Sequence, residues 1–229
     1  MMFARRLKYR QSTRLIYTFA AVMIAMVWVF SAWSPYAFAD GLYESPVPPG
    51  AAYVRFLNRT PKIELSASID GRSVAFSGQV LTPYSVHLAG KHDVTAGSVN
   101  GKVQSMPGRF YTIIVGAAAG LHRIVAVEDE AISNPALAKL FFYNLSRQPA
   151  SLLAQIGGKE APVFSNITPG AHAAPEVRPF EVGLKVQLPS GPLTALPNAI
   201  LQQQQAVSIV VVEVNGVAEA SLTLNGVAR

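Results

Sequence analysis

The chain has no cysteine. That removes disulfides, thiolate nucleophiles and sulfur metal ligands together, so the fold must stand on buried apolar surface alone. Tryptophan is scarce as well. Trp28 and Trp33 are the two present, and the chain beyond them offers no indole platform of the kind on which pyranose rings stack. Charge is sparse at 14%, and its sign is set locally. Five of the 19 Lys and Arg residues precede Asp40, whereas none of the 13 Asp and Glu residues do, so 14 basic residues face 13 acidic ones from Asp40 onward. A near-neutral chain without clustered Lys and Arg excludes nucleic acid as a partner. No Gly-x-Ser-x-Gly elbow exposes a nucleophile, and Gly116 to Gly120 is followed by neither Lys-Ser nor Lys-Thr, which excludes a phosphate-cradling loop. Past the N-terminal segment no apolar stripe repeats at helical spacing.

The N-terminus is organised. Arg5, Arg6, Lys8, Arg10 and Arg14 precede an apolar run from Leu15 to Phe30, a short polar stretch, and Ala37-Phe38-Ala39. That order predicts a signal peptide over residues 1–39, cut between Ala39 and Asp40, and hence export to the periplasm. An uncleaved anchor is the competing reading, although the run falls short of the roughly 20 residues that span a bilayer.

From Gly41 to Gly50 a proline-rich leader precludes helix. Strand-like runs follow at Tyr53–Asn58, Ile63–Ile69, Ser73–Val80, Ser85–Ala89, Val94–Ala96, Phe110–Val115 and Arg123–Glu128. Asp70-Gly71, Thr82-Pro83, Ala89-Gly90, Asn100-Gly101 and Pro107-Gly108 separate them as turns. The second half repeats the plan. Residues 54–58 correspond to 140–144, 66–71 to 153–158, Thr82-Pro83 to Thr168-Pro169, and 110–115 to 206–211. The expected architecture is a soluble all-β protein with two tandem β-sandwich-like domains, 40–130 and 131–229, joined within Asp129–Ala138. A single continuous sandwich is the alternative.

Candidate chemistry is thin. His87 and His92 flank a turn with Asp93 beside the second, which is zinc-ligand chemistry in principle. A hairpin surface carrying solvated histidines is the more ordinary reading, so the sequence predicts no metal, no cofactor and no catalytic residue. His122 and His172 stand alone. Asn58-Arg59-Thr60, Asn144-Leu145-Ser146 and Asn166-Ile167-Thr168 match a glycosylation acceptor pattern that carries little weight in a bacterial chain. Gln202 to Gln205 reads as a loop. Tyr43, in the leader, has no strand to bury it. With Arg55 and Asn58 on the first strand it makes up the expected partner-binding set.

The run from Leu42 through Pro46, Pro48, Pro49 and Gly50 to Tyr53-Val54-Arg55-Phe56-Leu57-Asn58 resembles the start of the AlgF family. Lys139-Leu140-Phe141-Phe142-Tyr143-Asn144-Leu145-Ser146 is similar to that family's Tyr-Asn-Leu-Ser strand. The resemblance implies a periplasmic accessory protein required for O-acetylation of an exopolysaccharide, alginate first and acetylated cellulose second. It implies as partners a membrane-bound O-acyltransferase and a periplasmic SGNH-type O-acetyltransferase that carry the chemistry themselves, and with them the polysaccharide. An acetyl-handling esterase or acyl carrier, and a carbohydrate-binding or surface module, are the alternatives.

Overall fold

The computed structural model describes residues 48–227, except 61–64, 77 and 119–120. The predicted signal peptide and Tyr43 lie outside the described residues. Among the described residues all regular structure is β, and no helix is long and apolar enough to cross a membrane.

The first half contributes β1 (Ala51–Asn58), β2 (Ala67–Ile69), β3 (Arg72–Val74), β4 (Ser85–Leu88), β5 (Lys91–Ala96), β6 (Val99–Gln104), β7 (Phe110–Ala118) and β8 (Leu121–Asp129). They form two sheets, ordered β4-β1-β7-β8 and β3-β2-β5-β6. The second half contributes β9 (Ala138–Asn144), β10 (Ala150–Ile156), β11 (Lys159–Ile167), β12 (His172–Ala173), β13 (Glu176–Val177), β14 (Phe180–Leu188), β15 (Gly191–Ala195), β16 (Ala199–Leu201), β17 (Ala206–Val214) and β18 (Val217–Leu224). Its sheets run β12-β9-β17-β18, with β13 also on β9, and β11-β10-β14-β15, with β16 on β14.

The duplication is visible in the register. β1 pairs in parallel with β7, Val54 opposite Tyr111, and β9 pairs in parallel with β17, Leu140 opposite Val207. These are the equivalences the sequence repeat predicts. Each half also turns its first hairpin with two consecutive positive-φ residues, Asp70-Gly71 (50° and 75°) and Gly157-Gly158 (56° and 77°). A two-residue hairpin favours that geometry because its twist matches that of the strands.

Three apolar layers follow from strand alternation. Val54, Phe56, Ile69, Val94 and Ile113 fill the first sandwich. Leu140, Phe142, Leu152, Leu184 and Ile209 fill the second. The opposite faces of the same central strands meet each other: Leu57 and Ile114 from the first half pack with Phe141, Tyr143, Val210 and Val212 from the second. β9 is therefore buried at every position, which is why it reads as an unbroken apolar run.

One predicted turn is a strand. Asn100-Gly101 lies inside β6, opposite Thr95 and Val94, and the chain reverses before it, at Gly97-Ser98. A Cβ on Gly101 would stand 3.3 Å from the Ile124 side chain. The glycine is there for close packing under β8, where an Asn-Gly pair ordinarily signals a hairpin.

Candidate functional site

Two polar clusters interrupt these apolar layers. The first lies between the sandwiches. Alternation along β1 sends Val54 and Phe56 into the first core, so Arg55 must point into the layer between the halves. It is only 1% exposed. Its Nε donates to the Thr112 hydroxyl of its parallel neighbour on β7 at 2.7 Å, and its Nη2 donates to the Tyr143 hydroxyl at 2.9 Å. The same nitrogen stands 3.5 Å from the Asp129 carboxylate. Asp129, at the end of β8, also accepts hydrogen bonds from Thr112, Tyr143 and, at 2.8 Å, Tyr84. The guanidinium lies 4.4 Å from the Tyr84 ring centroid and 5.5 Å from that of Phe141.

A buried ion pair is tolerated only when its remaining hydrogen-bonding capacity is met, as it is here. Burial pushes the Tyr84 and Tyr143 phenols well above their ordinary value of 10.0. Both stay protonated and act as donors to Asp129. This arrangement is a clamp between the two halves.

Arg55 was expected at a partner-binding surface, and the structure corrects that expectation. Asn58 is corrected likewise, at 3% exposure. Its Oδ1 accepts from the Thr60 amide at 2.9 Å and from the Thr60 hydroxyl at 3.3 Å. Asn144 repeats the device with the amide and hydroxyl of Ser146. The Asn-x-Ser/Thr triplets at these two positions are turns that close β1 and β9, because a short amide side chain bonds its own backbone two residues on.

The second cluster lies at one end of the first sandwich. Asp70 sits in the β2–β3 turn, His87 on β4, His92 on β5, and Ser105 follows β6. His92 Nδ1 is 2.7 Å from Asp70 Oδ2, and its Nε2 is 2.8 Å from Ser105 Oγ. His87 Nε2 is 2.9 Å from Ser85 Oγ. The bond from His92 holds the Asp70 carboxyl below the ordinary carboxylate range. Desolvation, reinforced by His92, lowers His87, so its imidazole is neutral at pH 7. Asp93, the carboxylate singled out in the sequence, instead pairs with Lys102 at 2.8 Å on the surface.

Asp70, His92 and Ser105 stand in the order of an acyl-transfer triad. Ser105, however, is 1% exposed, and its hydroxyl is 3.2 Å from the Gly90 amide and 3.4 Å from the Gly90 carbonyl. A nucleophile must reach its substrate, and this hydroxyl is enclosed. The groups that sequence reasoning missed had weak signals: Asp129 read as part of a linker and Asp70 as a turn residue.

An open apolar groove of about 370 Å³ runs along the seam of the two halves. Tyr84 and Phe110 line it from the first half, and Phe141, Ala206, Leu224 and Val227 from the second. Two of these lining residues, Tyr84 and Phe141, also pack on the Arg55 guanidinium.

No curated protein matches this sequence. Among solved structures, the C-terminal domain of AlgF from P. aeruginosa is similar, at 20% identity and a TM-score of 0.35, over 39% of this chain and 99% of that one. A putative cell adhesion protein from Bacteroides ovatus shows 11% identity and a TM-score of 0.29 over 79% of this chain and 98% of its own. Another from Bacteroides uniformis shows 11% identity and a TM-score of 0.24, covering 77% and 99%. The family described as Alginate O-acetyl transferase AlgF matches residues 25–208. With that match over most of its length, the chain belongs to the AlgF family, whose name ties it to alginate O-acetylation.

Proposed function

We propose that this protein is a non-catalytic periplasmic accessory protein required for O-acetylation of an exopolysaccharide, alginate in the first instance. It acts by holding a membrane-bound O-acyltransferase and a periplasmic SGNH-type O-acetyltransferase in one assembly. The chain is exported through residues 1–39 and cut before Asp40.

The observation that carries the adaptor reading is the seam groove, whose walls come from both halves. A partner seated there would touch both sandwiches at once, and the Arg55–Asp129 clamp beneath keeps them in a fixed relation. Exposed apolar groups at its rim, Leu224 at 57% and Val227 at 46%, suit a protein contact. Tyr43 in the leader remains a second contact candidate.

The test is a cell lacking the gene, complemented with Leu224→Glu/Val227→Glu or with Tyr43→Ala. The polymer should still be made but carry fewer acetyl groups, and the acetyltransferases should no longer be recovered with the folded protein. Full acetylation in both complemented strains would overturn the adaptor reading.

One observation favours a second reading. The Asp70–His92–Ser105 chain is the arrangement an acetyl-handling esterase or carrier would use. Ser105→Ala separates the two readings. The adaptor keeps acetylation intact in that variant, whereas a folded, partner-bound Ser105→Ala protein that fails to support acetylation would make the chain an enzyme.

A further inference from the structure

We propose that Asp70, His87 and His92 form a binding site for a divalent transition-metal ion of the zinc class that ties the two sheets of the first sandwich together. One donor atom from each of the three side chains lies within 4.8 Å of the others. Ligands on a tetrahedral zinc ion, with bonds near 2.0–2.2 Å, stand roughly 3.3 Å apart. The donors can therefore close on an ion by small side-chain shifts.

The surrounding bonds prepare both imidazoles. The Ser85 hydroxyl donates to the Val54 carbonyl at 2.9 Å, so toward His87 it can only accept. His87 Nε2 then carries the proton, and its free lone pair is on Nδ1. For His92 the carboxylate of Asp70 can only accept, which places a proton on Nδ1 when no metal is bound, with Ser105 donating to Nε2. An ion at Nδ1 reverses the tautomer. Nε2–H then donates to Ser105 Oγ, and the Ser105 proton turns to the Gly90 carbonyl at 3.4 Å. His92 and Ser105 hold the same number of protons before and after, so the swap releases no net proton, with solvent carrying the proton from Nδ1 to Nε2. A ligating imidazole ordinarily donates its other ring N–H to an acceptor that fixes its tautomer and orientation, and the hydroxyls of Ser85 and Ser105 take that part here.

The comparison between repeats adds an independent pointer. Asp70 occupies a left-handed position, φ 50°, whose counterpart in the second repeat is Gly157. A side chain is kept in the first repeat where glycine serves the turn in the second, and that side chain is the carboxylate of the cluster. Two imidazoles and one carboxylate leave coordination positions open, and they select zinc, cobalt or nickel over the oxygen-seeking magnesium and calcium. His87 belongs to the β1 sheet and His92 to the facing sheet, with Asp70 on the hairpin between β2 and β3. The ion would supply a cross-link in a chain that has no cysteine to make one.

The site is independent of the accessory role, and the purified protein tests it. The full chain, prepared without a polyhistidine tag and stripped with chelator, is titrated with Co²⁺ followed by visible absorption and with Zn²⁺ by calorimetry. One equivalent should bind at micromolar or tighter affinity, undisturbed by millimolar Mg²⁺, and Zn²⁺ should raise the melting temperature. Asp70→Asn, which tolerates the positive φ, and His87→Ala, at a half-buried edge position, should each weaken binding at least tenfold or so. His172→Ala should change nothing. Absence of saturable binding to the unsubstituted chain overturns the site, as does wild-type affinity in both ligand variants or equal loss in His172→Ala.

Discussion

The two repeats face each other through the same strand positions, yet they differ there. Where the first carries Arg55, Thr112 and Asp129, the second carries Phe141, Ser208 and Asn225, paired by the same register. Ser208 donates to Asn225 at 2.8 Å, a neutral copy of the bond from Thr112 to Asp129. Because the halves pack face to face, Arg55 lies over Phe141, its own counterpart. A duplicated surface meeting itself would bring like charges together, and two arginines here would repel. Making one copy charged and the other aromatic turns a self-contact into a complementary one. The join thus rests on divergence between the repeats as much as on their similarity.

The largest expected effect comes from breaking that asymmetry on one side. Arg55→Met leaves Asp129 buried without its counter-charge and should cost about 3–5 kcal/mol in urea denaturation. Asp129→Asn should cost a similar amount by stranding the guanidinium. Arg55→Met/Asp129→Asn, which removes both charges, should lose less than the two single changes together, by roughly 0.5–3 kcal/mol. Strict additivity would mean that the clamp is not a coupled unit.

The Asn turns sharpen the comparison at smaller magnitude. Asn144 donates to the carbonyls of Gln148 and Ile167 at 2.8 and 2.7 Å besides accepting from Ser146, whereas among the described residues the side-chain bonds of Asn58 stay within its own turn. Asn144→Ala should cost about 2–3 kcal/mol and Asn58→Ala about 1 kcal/mol. Equal losses would show that the long-range bonds of Asn144 contribute nothing.

The smallest effect at neutral pH, and the one confined to alkali, concerns Tyr84 and Tyr143. Burial raises both phenols in the folded state above their ordinary 10.0. The unfolded chain therefore releases these protons first as pH climbs, so the stability they add is complete below pH 10 and is lost as pH rises beyond it. Tyrosinate absorbance should show these two phenols ionising only with unfolding. Early, reversible ionisation of all tyrosines in the folded protein would contradict the clamp's burial.

Much of the fold was legible because duplication and alternation are written along the chain. The match of 54–58 to 140–144 and of 110–115 to 206–211 anticipates the parallel β1–β7 and β9–β17 pairs, and Asp70-Gly71 anticipates its hairpin. Asn100-Gly101 misled because local turn chemistry was overruled by tight packing under Ile124. The roles of Arg55 and Asn58 were not legible. Alternation places Arg55 on the face opposite Phe56, but it does not say whether that face meets water or another sheet, and Asn58 alone does not tell a turn from a contact.

The sequence by itself determined the all-β class, the repeat and its pairing, since these depend on side-chain alternation and turn residues a few positions apart. Only the tertiary structure decided that the two sheets β4-β1-β7-β8 and β12-β9-β17-β18 bury their outer faces against each other, making a charged residue on one strand the centre of the join. It alone brought Asp70 to His92 from 22 positions away. Those outcomes depend on which surfaces meet after each sandwich has closed, and burial between distant strands leaves no periodic mark on the chain.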